Sequence, residues 1–228
     1  MIELIIFDFD DTIIDNNVID YQSFVFSFKK FGIKKPIAKD IKKFRKQGLL
    51  ANHIILKYVD PNNKILINNI QNYRNIFLKK KSNIYYFRLK SNFLNSLKYF
   101  KREGIDCILC SSRDEKYLIQ NFLKEKKLNQ YFTSYYFKKD LKFNVNNSTY
   151  SNRLKIKTKL LSKIIKESIS SKNKIVFVGN SEEDFYAAKK NNVHFIYFQN
   201  DYLPKFVNPQ NRVVIKNMKH LIGKLCAF

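Results

Sequence analysis

The spacing of apolar residues changes along the chain. Residues 2–7 form a short apolar run without helical spacing, which is typical of a strand covered on both faces. From about residue 20 to residue 90 the apolar positions recur at helical intervals, as in Tyr21, Phe24 and Phe28, and this spacing predicts amphipathic helices. Within that stretch only residues 84–89 are a candidate strand. The pattern therefore predicts one buried strand followed by a helical insert.

Beyond residue 90, strand-like runs alternate with helix-like segments. The predicted strands are residues 105–110, 131–137, 174–178, 194–198 and 213–215. The predicted helices lie near residues 93–100, 118–128, 160–165, 182–190 and from residue 217 onward. Residues 144–151 and the proline-bearing stretch after residue 198 are predicted loops. Strands that alternate with helices indicate an α/β fold with a doubly wound parallel sheet.

The length and composition agree with one core domain that carries a smaller insert. The chain has 228 residues, of which 45% are hydrophobic, so it has ample apolar surface for a packed interior. We predict an α/β core domain made of residues 1–15 and 91–228, and a smaller all-helical domain of residues 16–90.

Polar side chains follow three of the predicted strands. They are Asp8, Asp10, Asp11 and Thr12 after the first strand, Ser111, Ser112 and Arg113 after the second, and GNSEED, residues 179–184, after the strand that ends at Val178. In a doubly wound sheet the ligand lies beyond the carboxyl ends of the strands, so all three segments are expected to face one crevice. Adjacent carboxylates repel one another, and two interpretations of the first segment compete. It is either a solvated acidic turn or a site where a cation, which would offset the repulsion, meets a phosphoryl group at the end of the strand.

These three segments together resemble the motifs of the haloacid dehalogenase superfamily of hydrolases, most of which are Mg²⁺-dependent phosphatases. The resemblance covers essentially the whole chain, including a helical cap inserted after the first strand. It implies a Rossmann-like core, with a cap that closes over the site and selects the substrate.

The resemblance also implies catalytic roles. Asp8 would attack phosphorus and form an aspartyl phosphate, and Asp10 would protonate the leaving oxygen and later activate water. The hydroxyl of Ser111 would bind a phosphoryl oxygen. A lysine that neutralises the phosphoryl group is expected at the start of a helix; Lys157 fits best, and Lys155 is the alternative.

A Mg²⁺ ion is the implied cofactor. By the resemblance, Asp8, the backbone carbonyl of Asp10 and the loop from Asn180 to Asp184 would hold it. Asn180 stands where the family usually has an aspartate, so Mg²⁺ affinity should be lower unless Asp184 or Glu183 becomes a direct ligand.

Two further departures concern the turn and the substrate. Many relatives carry glycine at the position of Asp11, and we expect aspartate to tolerate the unusual backbone angle there. Thr12, Ser112 and Arg113 are candidate substrate contacts, with Ser112 also able to replace Ser111. By similarity to related caps, Arg45 is a candidate contact to an anionic substrate group; the alternative is an ordinary exposed helical arginine.

The net charge and the cysteine content limit the kinds of partner that we expect. The net charge of +24 attracts anions, but the basic residues are spread along the chain, and we interpret them as a bias of composition. Cys107 and Cys110 lie within an apolar run and are predicted to be core thiols. With no leader-like or membrane-length apolar run, we expect a cytoplasmic monomer or homodimer that acts on a small phosphorylated substrate and binds neither nucleic acid nor membrane.

The sequence therefore predicts a Mg²⁺-dependent phosphomonoester hydrolase. Within the same superfamily, a phosphosugar mutase or a phosphonate-cleaving enzyme stays open. A phospho-ligand-binding protein without turnover is suggested by Asn180, and processing of nucleic-acid ends is suggested by the net charge.

Overall fold

The computed structural model describes residues 1–47, 49–141, 149–199 and 213–225. The chain divides into two compact units: Met1–Asp15 together with Leu89–Phe228, and Asn16–Arg88. The first is an α/β unit and the second is helical. No helix in the described ranges is both long and apolar enough to cross a bilayer.

The strands and helices alternate in the α/β unit as the sequence pattern predicts. The strands are β1 (Leu4–Asp8), β2 (Ile14–Asp15), β3 (Arg88–Leu89), β4 (Asp106–Ser111), β5 (Ser134–Phe137), β6 (Ile175–Gly179), β7 (His194–Phe198) and β8 (Val213–Ile215). The helices are α1 (Asn17–Lys30), α2 (Ala38–Lys46), α3 (Ala51–Ile55), α4 (Lys64–Lys79), α5 (Phe93–Arg102), α6 (Lys116–Glu125), α7 (Tyr150–Glu167), α8 (Glu182–Asn191) and α9 (Lys219–Leu225).

Six of the strands form one parallel sheet in the order β5-β4-β1-β6-β7-β8. Strand β1 lies between β4 and β6, with Leu4 opposite Asp106 on one side and Ile175 on the other. Every residue of β1 is buried, which explains its unbroken apolar run. The order reverses direction at β1, so a crevice is expected at the carboxyl end of this strand. The predicted doubly wound α/β fold is confirmed.

Helices cover both faces of the sheet. On one face, Ile6 and Phe177 belong to a buried cluster with Leu160 and Ile164 of α7. On the other face, the Phe7 ring meets the edge of Phe93 of α5 with centroids 5.3 Å apart. Since side chains alternate between the two faces along a strand, consecutive residues of β1 anchor opposite layers.

Several predicted boundaries differ from the structure. Strands β1, β4 and β6 each end one residue later than predicted, and the aromatic run over 131–137 is a strand only from Ser134. The predicted loop over 144–151 is wrong at its end, because α7 begins at Tyr150; residues 142–148 lie outside the described residues. The predicted loop after residue 198 falls largely on residues 200–212, which also lie outside them. Residues 84–89 form the end of a 3₁₀ turn and the short strand β3.

The unit Asn16–Arg88 has a core of its own, built by the helical spacing of its apolar residues. Phe24 and Phe28 of α1 are fully buried together with Ile54, Ile55 and Ile70 from the later helices. The stretch with helical spacing contains α1 to α4, and the unit ends at Arg88, two residues before the predicted boundary. Its action as a cap that selects a substrate stays a prediction.

Candidate active site

The site lies where three parallel strands end side by side. Asp8 is the last residue of β1, Ser111 is the last residue of β4, and Gly179 is the last residue of β6. The register places Asp8 opposite Cys110, so Ser111 follows directly beside it. The α/β unit has a pocket of about 290 Å³ at this edge of the sheet.

Half of the predicted site residues line this pocket, together with Asp11. The lining residues foreseen from the sequence are Asp8, Asp10, Asp11, Ser112, Lys157 and Asn180. Ser181 and Glu183 also line it, and both belong to the segment 179–184 that the sequence placed at this crevice. The structure adds Arg153. Ser111 and Asp184 are buried at the strand ends and do not line the pocket wall.

The turn after β1 is tight and uses Asp11 at a left-handed position. The φ angle of Asp11 is +56°, a region in which aspartate is better tolerated than most residues. The amide of Ile13 donates to the carbonyl of Phe9 across the turn at 3.0 Å. The expectation that aspartate can stand here in place of glycine is confirmed.

Thr12 is fully buried, and its hydroxyl donates to Oδ1 of Asn180 at 3.3 Å. This contact links the first strand exit to the third across 168 positions of sequence. Thr12 therefore holds Asn180 in place, and the structure does not place it among the residues that line the pocket. A direct contact between Thr12 and substrate stays a prediction.

Lys157 lies between two buried carboxylates. Its Nζ contacts Oδ1 of Asp8 and lies 2.9 Å from Oδ1 of Asp184. Burial lowers the pKa of Lys157, but the charges of Asp184 and Asp8 raise it by a larger amount, so the pKa lies above its ordinary value. Lys157 is therefore a cation at neutral pH. Lys155, the alternative, is exposed on the same helix.

The nucleophile candidate Asp8 is itself almost inaccessible, with an exposed fraction of 5%. Burial raises the pKa of its carboxyl group, and the nearby charges of Asp184 and Asp10 add to this rise against the opposing effect of Lys157. The three carboxylates would repel one another in this small space without a compensating cation. The arrangement therefore favours a cation close to these carboxylates.

Asp184 is fixed by the amino-terminal end of α8. Its Oδ2 accepts hydrogen bonds from the amides of Asn180 and Ser181, at 3.2 Å and 3.1 Å, and from the Ser181 hydroxyl at 2.7 Å. The Ser181 hydroxyl in turn accepts from the amide of Asp184, which completes a capping box. A Cβ atom at Gly179 would lie 2.6 Å from Cβ of Asp184, so only glycine permits this close approach.

Arg113 holds the proposed acid/base residue Asp10. Its Nε lies 2.8 Å and 2.7 Å from the two carboxylate oxygens of Asp10, and its Nη2 lies 2.7 Å from Oδ1. Burial lowers the pKa of Arg113, but Asp10 raises it by a larger amount, so the pKa lies above its ordinary value and the guanidinium stays charged. The amide of Arg113 also donates to the Ser111 hydroxyl at 3.2 Å. The structure thus places Arg113 as a positioning residue, and its contact with substrate stays a prediction.

Arg153 and Glu183 form an ion pair at the pocket that the sequence analysis did not foresee. Nε of Arg153 donates to Oε1 of Glu183 at 2.6 Å. Arg153 stands four positions before Lys157, so both lie on one face of α7. That four-residue spacing was the available sequence signal, but the predicted helix began near residue 160 and Arg153 was left outside it.

Arg45 belongs to the helical unit, where it pairs with Asp20. Its Nε and Nη2 each donate to a carboxylate oxygen of Asp20 at 2.8 Å, and Arg74 contacts the same carboxylate. Burial raises the pKa of Asp20, but the hydrogen bonds from Arg45 and the charge of Arg74 outweigh it and lower the pKa. Arg45 is partly buried and paired, so it is not an ordinary exposed arginine. Its contact with an anionic substrate stays a prediction.

The donor set of the pocket suits a hard cation. Within the described residues, no three side chains of Asp, Glu, His or Cys converge as a metal site by themselves. Asp8 and Asn180 nevertheless offer carboxylate and amide oxygens at the pocket. Oδ1 of buried Asp184 accepts no well-aligned hydrogen bond from the described residues, and its contact there is the ion pair with Lys157 at 2.9 Å. Mg²⁺ prefers oxygen ligands of these kinds, including backbone carbonyls such as that of Asp10. The residues therefore fit a Mg²⁺ ion.

The two cysteines of β4 are buried free thiols, as predicted. Burial raises the pKa of Cys110 to about 12, and burial likewise raises the pKa of Cys107. Both groups are therefore neutral thiols at physiological pH, which excludes a thiolate role for them.

Solved structures share this fold along the whole chain. A proposed phosphatase from Clostridium difficile is 16% identical, with 98% of each chain covered and a TM-score of 0.78. A superfamily hydrolase of subfamily IA from Geobacter sulfurreducens is 15% identical, with 98% of this chain and 96% of that chain covered and a TM-score of 0.74. A predicted phosphoglycolate phosphatase from Haemophilus somnus is 13% identical, with coverage of 98% and 97% and a TM-score of 0.71.

No curated protein matches this sequence significantly. The match to a family is more specific than a shared fold, because it depends on the amino-acid sequence. Residues 5–198 match the haloacid dehalogenase-like hydrolases, and this range includes all three strand exits. The chain therefore belongs to the haloacid dehalogenase-like hydrolase family.

Proposed function

We propose that this hydrolase is a phosphatase that removes the phosphoryl group from a small phosphorylated metabolite through an aspartyl phosphate, with Mg²⁺ as cofactor. The observation that carries the proposal is the buried trio of Asp8, Lys157 and Asp184 at the ends of β1 and β6. A buried carboxylate next to a buried cation suits attack on an anionic group, because the cation offsets the negative charge that the substrate brings. The structural neighbours from Clostridium difficile and Haemophilus somnus are named as phosphatases, which agrees with this reaction class.

In the first step, a carboxylate oxygen of Asp8 forms a bond to phosphorus while the bond from phosphorus to the leaving oxygen breaks. Asp10 gives a proton to that leaving oxygen, so an alcohol departs and Asp8 carries the phosphoryl group. In the second step, Asp10 takes a proton from water as the water oxygen attacks phosphorus. Inorganic phosphate leaves, and the Asp8 carboxylate is restored.

The other residues stabilise the transferring group. The ammonium of Lys157 faces the nucleophile and would offset the charge on the phosphoryl oxygens. Ser112 lines the pocket, and the adjacent Ser111 is buried at the end of β4. One of these two hydroxyls would serve as a donor to those oxygens. Asp8, Asn180, Asp184 and the carbonyl of Asp10 would hold Mg²⁺, which neutralises charge on the phosphoryl group when bound.

The test is phosphate release from a panel of phosphorylated metabolites and an aryl phosphate, with Mg²⁺ and with chelator. We expect Mg²⁺-dependent release by the native protein and none above background by the Asp8→Asn variant, which removes the nucleophile and retains the shape of the side chain. Lys166→Gln, an exposed change on α7, is the control and should behave as the native protein. An Asp8→Asn protein with normal turnover would contradict the mechanism.

A phospho-ligand-binding protein without turnover is the second candidate. Two observations favour it: Asn180 supplies a neutral amide oxygen where the family usually has a carboxylate, and Arg113 already engages Asp10. Saturable binding of phosphate esters without any product, from folded protein at high Mg²⁺, would support this alternative. Transfer of the phosphoryl group to a second hydroxyl, without release of phosphate, would instead indicate a mutase.

A further inference from the structure

The pocket contains one more cationic side chain than the proposed reaction uses. Arg153 lines the same pocket as Asp8, and its side chain is 34% exposed, so a ligand can reach it. The proposed steps give it no role, since Lys157 already serves the phosphoryl group.

The ion pair with Glu183 orients Arg153 and uses one of the three nitrogens of its guanidinium group. Only Nε donates to the carboxylate, at 2.6 Å, and among the described residues the two terminal nitrogens, Nη1 and Nη2, donate no hydrogen bond. Glu183 is itself 8% exposed and stands in the first turn of α8, so the anchor is rigid. A guanidinium held at Nε presents its two Nη groups in the planar arrangement that binds carboxylate and phosphate oxygens.

Arg113 contrasts with Arg153. Both its Nε and its Nη2 contact the carboxylate of Asp10, so its guanidinium is committed to a protein partner. Arg153, in contrast, lines the pocket and has its terminal nitrogens available to a ligand. Asn180 also favours an anionic ligand here, because its neutral amide contributes no negative charge to the pocket wall.

The spacing along α7 places Arg153 beside the phosphoryl position and not on it. Lys157 contacts the nucleophile Asp8, and Arg153 stands four residues earlier on the same helix face. Four residues correspond to a rise of about 6 Å along a helix. A small molecule can span this distance with its phosphoryl group at Asp8 and another group at Arg153.

We propose that the substrate carries a second anionic group, a carboxylate or another phosphate, and that Arg153 binds it. This inference rests on the proposed function for the place of the phosphoryl group. It makes Arg153 a specificity-determining residue, which selects among phosphate esters and takes no part in the bond changes. Small phosphorylated acids and small bisphosphates are the substrate classes that fit.

The experiment measures binding separately from turnover. The Asp8→Asn variant is titrated calorimetrically, with Mg²⁺ present, against 2-hydroxyethyl phosphate, 2-phosphoglycolate and ethane-1,2-diol bisphosphate, which differ only at the end remote from the reacting phosphate. We expect one of the two esters with a second anion to bind roughly tenfold more tightly than 2-hydroxyethyl phosphate, the effect of one charge-assisted contact at a partly exposed site. Whichever ester shows the preference identifies the second group as carboxylate or phosphate.

The same titrations are repeated with Arg153→Gln and Arg153→Lys added to Asp8→Asn, with Lys166→Gln as a control that removes a cation from α7 outside the pocket. Glutamine can still donate to Glu183, so the fold should be retained, and a thermal melt checks this. We expect the preference to vanish with glutamine, to fall with lysine and to persist in the control, while the affinity for 2-hydroxyethyl phosphate changes little.

Two results would overturn the inference: equal affinity for all three esters, or a preference that survives Arg153→Gln. A loss of affinity for all esters alike would also contradict it, because Arg153 would then serve the phosphoryl group itself. Phosphate release by the native protein from the same three esters tests the proposed function independently. An Arg153-dependent preference without any phosphate release would support the inference and refute the phosphatase.

Discussion

Replacement of Lys157 by methionine should cost this protein stability as well as activity. The ammonium of Lys157 lies between Asp8 and Asp184, and all three side chains are buried. Methionine retains much of the length and the apolar stem of lysine but brings no charge. The Lys157→Met variant would therefore leave two carboxylates facing each other without a cation.

The structure sets the magnitude of this loss. Removal of one partner from a buried ion pair costs about 3–5 kcal/mol, because the other charge stays buried and uncompensated. Lys157 has two such partners, so we expect a loss near the upper end, about 5 kcal/mol in the absence of metal. Adding Asp8→Asn to Lys157→Met removes one of the stranded charges and should restore a measurable part of the loss, on the order of 2 kcal/mol.

The assay is urea denaturation in chelator, followed by circular dichroism, with phosphate release measured in Mg²⁺ on the same preparations. Lys155→Met is the matched control, because Lys155 is exposed two positions away on the same helix. Its free energy of unfolding should stay within about 0.5 kcal/mol of the native value, as is usual for surface substitutions.

Two outcomes would refute the reasoning. If Lys157→Met unfolds at the same urea concentration as the native protein, the ion pairs do not stabilise the fold. If Lys155→Met loses phosphate release while Lys157→Met keeps it, the lysine that serves the phosphoryl group is the exposed one. In either case the arrangement of α7 relative to β1 would need revision.

Two further predictions concern other parts of the chain. Arg45 and Arg74 lower the pKa of Asp20 in the folded state, so the stability that they give should be full above the unfolded pKa of about 3.9 and decline as pH falls through the lower folded pKa. Thermal melts from pH 6 to pH 2 should show this decline in the native protein. The Asp20→Asn variant should be less stable at neutral pH by on the order of 2 kcal/mol and should lack the decline. Gly179→Ala should destabilise the fold by about 1–3 kcal/mol and reduce phosphate release, because the new methyl group would displace Asp184; an unchanged melting temperature would contradict the close approach.

The sequence was sufficient to predict the site wherever the topology alone dictates position. Strands that alternate with helices pair in parallel, so their carboxyl ends share one edge, and the residues after β1, β4 and β6 had to meet there. The conformation of Asp11 was predictable for a local reason, since few residues other than glycine tolerate a positive φ as well as aspartate does. Neither conclusion needed the distance between any two side chains.

The partners of individual side chains could not be predicted in this way. The contacts Arg113–Asp10 and Thr12–Asn180 join residues 103 and 168 positions apart, and which donor reaches which acceptor depends on tertiary packing. The beginning of α7 was missed for a different reason. Its first turn, after the capping residue Thr149, is mostly polar, with Tyr150 followed by three polar residues, so the pattern showed only the later turns, whose apolar face packs on the sheet.

These contacts change the interpretation of the acidic run at the end of β1. Its carboxylates could have been a solvated turn, but Asp8 pairs with Lys157 of α7 and Asp10 pairs with Arg113, which follows β4. Glu183, across the pocket, pairs with Arg153 of α7. The cations are thereby oriented before any substrate arrives, and little reorganisation is needed when an anionic group enters. Such a site offsets the repulsion among its carboxylates with fixed charges, and the same charges can then stabilise a phosphoryl group. The acidic residues therefore determine where the cations stand, and the cations determine which anions the pocket can accept.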